Sequence, residues 1–173
     1  LGDVYKRQIE RKTLMEPVKA PAPLVIISSS PYIHCGSTIS AAMRDVLLSL
    51  LPALAAAVYF FGWPALSVIL TCCLSAVICE ALCQKLMQRP ITVGDGSALL
   101  TGLLLAFCLP PELSLGLAAF GSFCAVVIGK QVFGGLGSNI FNPAHLGRAI
   151  LLASFPAQMT TWTMPWNLSL IHI

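Results

Sequence analysis

Ala65-Leu-Ser-Val-Ile-Leu-Thr-Cys-Cys-Leu-Ser-Ala-Val-Ile-Cys-Glu-Ala-Leu82 is an apolar stretch interrupted by one charge, Glu80. With its flanks it reaches the roughly 20 residues that a membrane-crossing helix needs. Gly62-Trp63-Pro64 punctuates it on one side, and Lys85 to Pro90 closes it on the other. Before it lies a second run, Val46 to Phe61, with Pro52 placed to kink it and Tyr59, Phe60 and Trp63 placed for an aromatic belt at a membrane surface. After it come Ser97 to Leu109, Leu113 to Ile128 and Ala144 to Phe155. The third run is short, so it reads either as a tilted span or as a re-entrant helix. The pattern predicts an all-α, polytopic transmembrane protein of about five membrane segments with a Gly/Pro-broken helix.

Composition agrees. Only 10% of the 173 residues are charged and the mean hydropathy is +0.84. Soluble domains carry about 25% charged residues, so lipid is the natural solvent for most of this chain. No basic run interleaved with aromatics suggests nucleic-acid binding. Arg44, Lys85, Arg89 and Lys130 fall on alternate connections, while Gly62–Pro64 and Pro110–Glu112 carry no Lys or Arg. The positive-inside rule then places the N-terminus in the cytoplasm and Pro156 to Asn167 on the periplasmic side, provided that the third run crosses. Leu1–Gln8 and Leu168–Ile173 match neither the pattern nor the composition beside them and read as translated library adapter, with Met15 as a start. The expected divisions are residues 1–15 (a non-native or disordered end), 16–44 (a cytoplasmic lead-in, with Thr38 or Ser40 capping a helix), 45–156 (the transmembrane domain) and 157–173 (a truncated periplasmic segment).

Gly134-Gly-Leu-Gly137, Asn139, Asn142 and Pro143 cannot form ordinary lipid-facing helix, because glycines at this density break helices and proline removes a donor. Irregular backbone at membrane depth survives only inside protein or along a watery cavity. Two readings stay open: a functional broken helix, or a plain cytoplasmic loop. Asp95, in Gly-Asp-Gly, reads first as a cap for the third helix and second as a cation ligand. His145 and Arg148 lie about one turn apart near Pro143, where they could hold an anionic partner, pair with Asp95 or Glu80, or anchor the chain at the interface. Glu80 itself reads as structural. The seven cysteines form no CxxC pair and read as small packing residues, and no metal site is expected. No nucleophile–base constellation, Walker loop or dinucleotide fingerprint is present.

Ser29-Ser-Pro-Tyr-Ile-His34, Phe60-Phe-Gly-Trp63, Ser97 to Ala106, Lys130-Gln-Val-Phe-Gly-Gly-Leu-Gly137, Asn139-Ile-Phe-Asn-Pro-Ala144 and Ser154 to Trp162 resemble, in order and spacing, the D subunits of Rnf/Rsx electron-transport complexes. Ile140 departs from them, falling where a proline is common. The resemblance implies a multi-pass inner-membrane protein, related to the B subunit of sodium-pumping NADH:quinone reductase and similar in fold to urea and ammonium transporters. It implies a complex that moves electrons between ferredoxin and NAD, or toward a redox sensor, and couples them to ion movement. It implies A-, B-, C-, E- and G-type partner subunits. It also implies FMN bonded through its phosphate to a threonine in a downstream Ser-x-Ala-Thr motif, with riboflavin as a second flavin candidate. That motif does not occur here, and Thr160, Thr161 and Thr163 lie before it. In the quinone-reducing relatives, the glycine pair matching Gly134 and Gly135 lies near the quinone site, which carries over only as a functional cytoplasmic-side loop. A small-solute channel and a non-catalytic scaffold are the competing functions, and the residues do not choose sodium over proton.

Overall fold

The computed structural model describes residues 38–89, 93–163 and 165. The expected adapter ends, most of the lead-in and the Ser29–His34 motif lie outside them. Helices are the regular structure of the described residues, which contain no strands. Helix α1 is Ile39–Ser49, α2 is Leu51–Leu86, α3 is Ser97–Ala106, α4 is Leu115–Val126, α5 is Pro143–Ser154 and α6 is Pro156–Thr160. A 3-10 turn, Val93–Asp95, precedes α3, and a π-helical segment, Val127–Gln131, continues α4.

Thr38 caps α1 by accepting the Ala41 N–H at 3.2 Å. Only Leu50 separates α1 from α2, and it keeps a right-handed helical backbone while passing the hydrogen-bond ladder from Val46 to Leu54. Pro52 follows at once, so the interruption falls where a missing donor predicts it. The larger break is at Gly62, whose φ of 69° and ψ of −149° are non-helical, with Pro64 just beyond. A straight helix would hold Ile39 and Gln84 about 68 Å apart. Instead they line one cleft, while Ala57, Phe61, Ala65 and Val68 line a small cavity at the other end. The chain therefore reverses at Gly62, and the two runs flanking Gly62-Trp63-Pro64 are the arms of a helical hairpin.

Helix α3 is about 15 Å long. It starts at Ser97, beside Lys130, and its last turn brings Phe107 and Leu109 to the cavity that Phe61 and Ala65 line. The short run leads from the level of Lys130 to that cavity. Most of it is buried, Leu99 being exposed, and Gly102 explains how. A Cβ on Gly102 would lie 2.8 Å from the Cys72 carbonyl oxygen and 2.9 Å from Cys73 Cα, so α3 rests directly on the α2 backbone. Gly147 does the same for α5 against α4, where a Cβ would meet the Gly121 carbonyl oxygen at 2.7 Å. Small residues at such crossings are how apolar helices gain van der Waals contact in lipid, where no hydrophobic force separates helix from solvent. Leu70, Leu74, Ile78 and Leu82 recur every fourth residue along the outer face of α2 and are exposed, as a lipid-facing stripe is. Together these features make an all-α membrane protein.

Candidate functional site

Among the described residues the interior holds one ionic cluster. Glu80 on α2 is 1% exposed and Lys130 in the π segment 2%. Lys130 Nζ donates to Glu80 Oε1 at 2.7 Å and to Ser97 Oγ, at the start of α3, also at 2.7 Å. Gln84 and Gln131 each donate an amide N–H to the same Glu80 oxygen, at 3.2 and 3.1 Å. Three chain elements are thereby tied at one point. The local sequence makes this possible in two ways. Glu80 and Gln84 are one turn apart on α2, and the π-helical segment carries Lys130 and Gln131, both buried. Gly129 lets the π segment approach Pro143 closely, since a Cβ there would lie 3.0 Å from Pro143 Cα. Such segments recur at functional sites.

One carboxylate oxygen is saturated and the other is not. Among the described residues nothing hydrogen-bonds Glu80 Oε2, and the atom is buried. Beside the cluster opens a cleft of about 290 Å³, lined by Ile39, Glu80, Gln84, Arg89, Asp95, Gln131, Gly134, Gly135 and Leu136.

The structure distributes the expected site residues unevenly. Asp95 does not cap α3. The cap position belongs to Gly96 in a left-handed conformation (φ 74°), with no side-chain bond, and Asp95 sits half-buried in the 3-10 turn facing the cleft. Gly134 and Gly135 do reach the cleft. Their φ values of 114° and 100° are left-handed, and their N–H groups close the π segment on the Gln131 and Lys130 carbonyls at 3.1 and 3.0 Å. Gly137 is also left-handed, at φ 90°, but exposed. Asn139 bonds the Phe141 carbonyl, and Asn142 caps α5 by accepting the Ala144 N–H at 3.1 Å, with Pro143 as the first helical residue. The broken region is thus a connector between two helices rather than a proline kink inside one. His145 and Arg148 are both exposed on α5 and pair with neither Asp95 nor Glu80 among the described residues.

Lys130 is the residue that sequence reasoning misplaced. Counted as a cytoplasmic loop charge, it is instead an interior partner. The sequence signals only half of the pair: Glu80 inside an apolar run implies a counter-charge, because an unpaired charge there is expensive, without saying which residue supplies it.

Thr160 and Thr161 are poorly placed to carry a flavin phosphate. Thr160 and Thr161 donate their hydroxyls to the Pro156 and Ala157 carbonyls at 2.8 and 2.6 Å, and the depression that Thr161 lines also holds Glu112, a like charge for a phosphate.

Comparison with known proteins places this geometry. The sequence model of the NQR2, RnfD, RnfE family matches residues 26–169. The chain is 51% identical over 137 residues, 79% of its length, to the D subunit of the proton-translocating ferredoxin:NAD(+) oxidoreductase complex of Clostridium ljungdahlii. It is 49% identical over 135 residues, 78% of its length, to the D subunit of the Na(+)-translocating ferredoxin:NAD(+) oxidoreductase complex of Acetobacterium woodii. It is 52% identical over 130 residues, 75% of its length, to the D subunit of the ion-translocating oxidoreductase complex of Stutzerimonas stutzeri. These alignments cover 41%, 42% and 37% of the relatives, so the chain spans about two fifths of the length of the curated relatives that it matches.

Proposed function

Because the chain belongs to the NQR2, RnfD, RnfE family, we propose that it is part of a D-type membrane subunit of an ion-translocating ferredoxin:NAD oxidoreductase complex. The observation that carries this is the identity of about one half, over three quarters or more of the chain, to proteins named as that subunit. In this reading the subunit works with A-, B-, C-, E- and G-type partners in the bacterial inner membrane. FMN, and riboflavin if a second flavin is carried, belongs to segments other than those described. The residues here supply the helical frame and the cleft next to the Glu80–Lys130 pair.

The same reading sets the orientation. Gln84 and Arg89 share the cleft with Ile39, so the basic residues that follow α2 sit at the end where α1 begins. The opposite end, with Phe61, Pro111 and Trp162 around one cavity, has loops free of Lys and Arg. That asymmetry supports a cytoplasmic cleft and a multi-pass arrangement with Pro156 to Thr163 on the periplasmic side. Reporter fusions after Arg89 and after Thr163 should report opposite compartments, and equal signals would sink the topology.

The function is tested by exchange. The D-type protein of Acetobacterium woodii, carrying these residues in place of its own corresponding stretch, should assemble and restore ferredoxin:NAD turnover to membranes that lack the native protein. An assembled complex with no turnover would defeat the reading. Solute flux through the chimaera without any redox partner would point to a channel instead.

A further inference from the structure

We propose that one anionic phospholipid docks on α5, with its phosphate against His145 and Arg148 and an acyl chain in the groove over Phe141, Leu146 and Ala149. The proposal needs only the membrane setting of the fold and holds for either orientation.

Geometry and charge carry it separately. Phe141, Asn142, His145, Leu146 and Ala149 line an open groove of about 310 Å³. Asn142 already engages its side-chain oxygen with the Ala144 N–H, so His145 is the polar group left at the rim. Arg148 follows three residues on, sharing a face with His145, and both are exposed. The connector leading into α5 leaves Leu136, Ile140 and Phe141 exposed as well. Large apolar side chains beside basic ones make a surface suited to lipid at headgroup level. The depth agrees. A Cβ on Gly129 would lie 3.0 Å from Pro143 Cα, so α5 begins beside the π segment, at the end of the bundle where Arg89 and the cleft lie. A long basic side chain one turn into the apolar layer from that end reaches headgroups by extending along the helix.

Charge names the class of lipid. Helix α5 packs against α3, α4, α6 and the π segment. Neither these elements nor residues 132–142 carry an Asp or Glu, and the Lys130 ammonium is already paired with Glu80. Asp45, Glu80 and Asp95 belong to α1, α2 and the 3-10 turn, and Glu112 lies beside Thr161, past the other end of α5. His145 and Arg148 therefore face no counter-ion among the described residues. A zwitterionic headgroup would bring its own cation to this face, and an anionic one does not. A soluble anion would match the charges and leave the groove bare, whereas a phospholipid fills both.

The test uses the whole complex with its full-length D-type protein, titrated in detergent with phosphatidylglycerol and read by native mass spectrometry. Occupancy by the first phosphatidylglycerol should require at least about fivefold more lipid in Arg148→Gln than in wild type. Ala149→Trp fills the groove without changing charge, and it should raise the requirement in the same direction. Phosphatidylcholine with the same chains should occupy the wild-type complex no better than phosphatidylglycerol occupies Arg148→Gln. Arg148 and Ala149 are both exposed, so the variants should fold, and if one fails to assemble the other decides. Wild-type titration by either assembled variant overturns the proposal. Displacement of the lipid by an equal concentration of inorganic phosphate overturns it in favour of a plain anion site. Loss of a partner subunit from the Arg148→Gln complex, with lipid binding unchanged, overturns it in favour of a protein contact.

Discussion

Residues 97–131 and residues 132–142 are both rich in glycine, and they use it for opposite purposes. In the first region Gly102, Gly121 and Gly129 sit inside helices, and each would drive a Cβ into a neighbouring element. In the second, Gly135 and Gly137 have open space where a Cβ would go, but backbones turned to φ values of 100° and 90°. Glycine is chosen for volume in the interior and for dihedral freedom in the connector. The polar groups divide the same way. Lys130 and Gln131 are buried and bonded across elements, whereas Asn139 and Asn142 bond only backbone within three residues of themselves. The interior is held by long-range contacts and the connector by local ones, so substitutions in the two regions should differ in size and in kind.

The largest effect should come from splitting the ion pair. Lys130→Met alone leaves a buried carboxylate without its counter-ion, and Glu80→Gln alone leaves a buried ammonium. Each should destabilise the full-length protein by about 3–5 kcal/mol, while the double variant recovers most of the loss. Thermal unfolding in detergent, run as a double-mutant cycle, reads this directly. Single variants as stable as wild type would mean that the pair does not hold α2, α3 and the π segment together.

Next come the crossing glycines. Gly102→Ala would set a methyl against the Cys72 carbonyl, and Gly147→Ala against that of Gly121. Backbone cannot swing aside as a side chain can, so each should cost about 1–3 kcal/mol. Gly135→Ala meets no atom within 4 Å, and its cost is the left-handed backbone alone, about 1 kcal/mol. The two classes separate in one experiment, since the interior variants should lower the unfolding temperature more than Gly135→Ala does. A larger loss at Gly135 would mean that the connector is packed as tightly as the interior. Gly135→Leu adds a functional readout. If the cleft-facing turn matters for turnover, activity of the assembled complex should fall further than expression does.

This division explains what could be read in the sequence. The hairpin was legible because Gly62-Trp63-Pro64 interrupts two apolar runs, and punctuation of that kind is local. Thr38 as a cap and Pro52 as an interruption were legible for the same reason. The Glu80–Lys130 pair was not, since its partners are fifty positions apart in the chain and Lys130 ends an apolar run just as an interfacial lysine would. The π-helical segment that holds Lys130 leaves no mark in residue types. Asp95 looked like a cap because Gly-Asp-Gly usually supplies one, yet the left-handed Gly96 takes the cap position and leaves the carboxylate to the cleft. Nor did Gly102 and Gly147 differ, as letters, from the glycines of the connector.

The smallest expected effect bounds the comparison from outside both regions. Thr160 and Thr161, at the end of α6, are the hydroxyls that a search for a flavin-bearing threonine would reach first. Each already donates to a carbonyl of its own short helix, and Thr161 does so at 2.6 Å. A phosphoester would require the oxygen to leave that bond and to carry an anionic group into a depression shared with Glu112. Both requirements oppose the linkage, and the family resemblance puts the attaching threonine in a Ser-x-Ala-Thr motif that this chain does not contain. Thr160→Ala and Thr161→Ala should therefore leave covalent flavin on the full-length protein unchanged, measured as the fluorescent band on a denaturing gel after expression with the flavin transferase. Residues 15–167 expressed alone under the same conditions should reach the membrane and show no such band. A band from that segment, removed by either alanine substitution, would move the flavin onto α6.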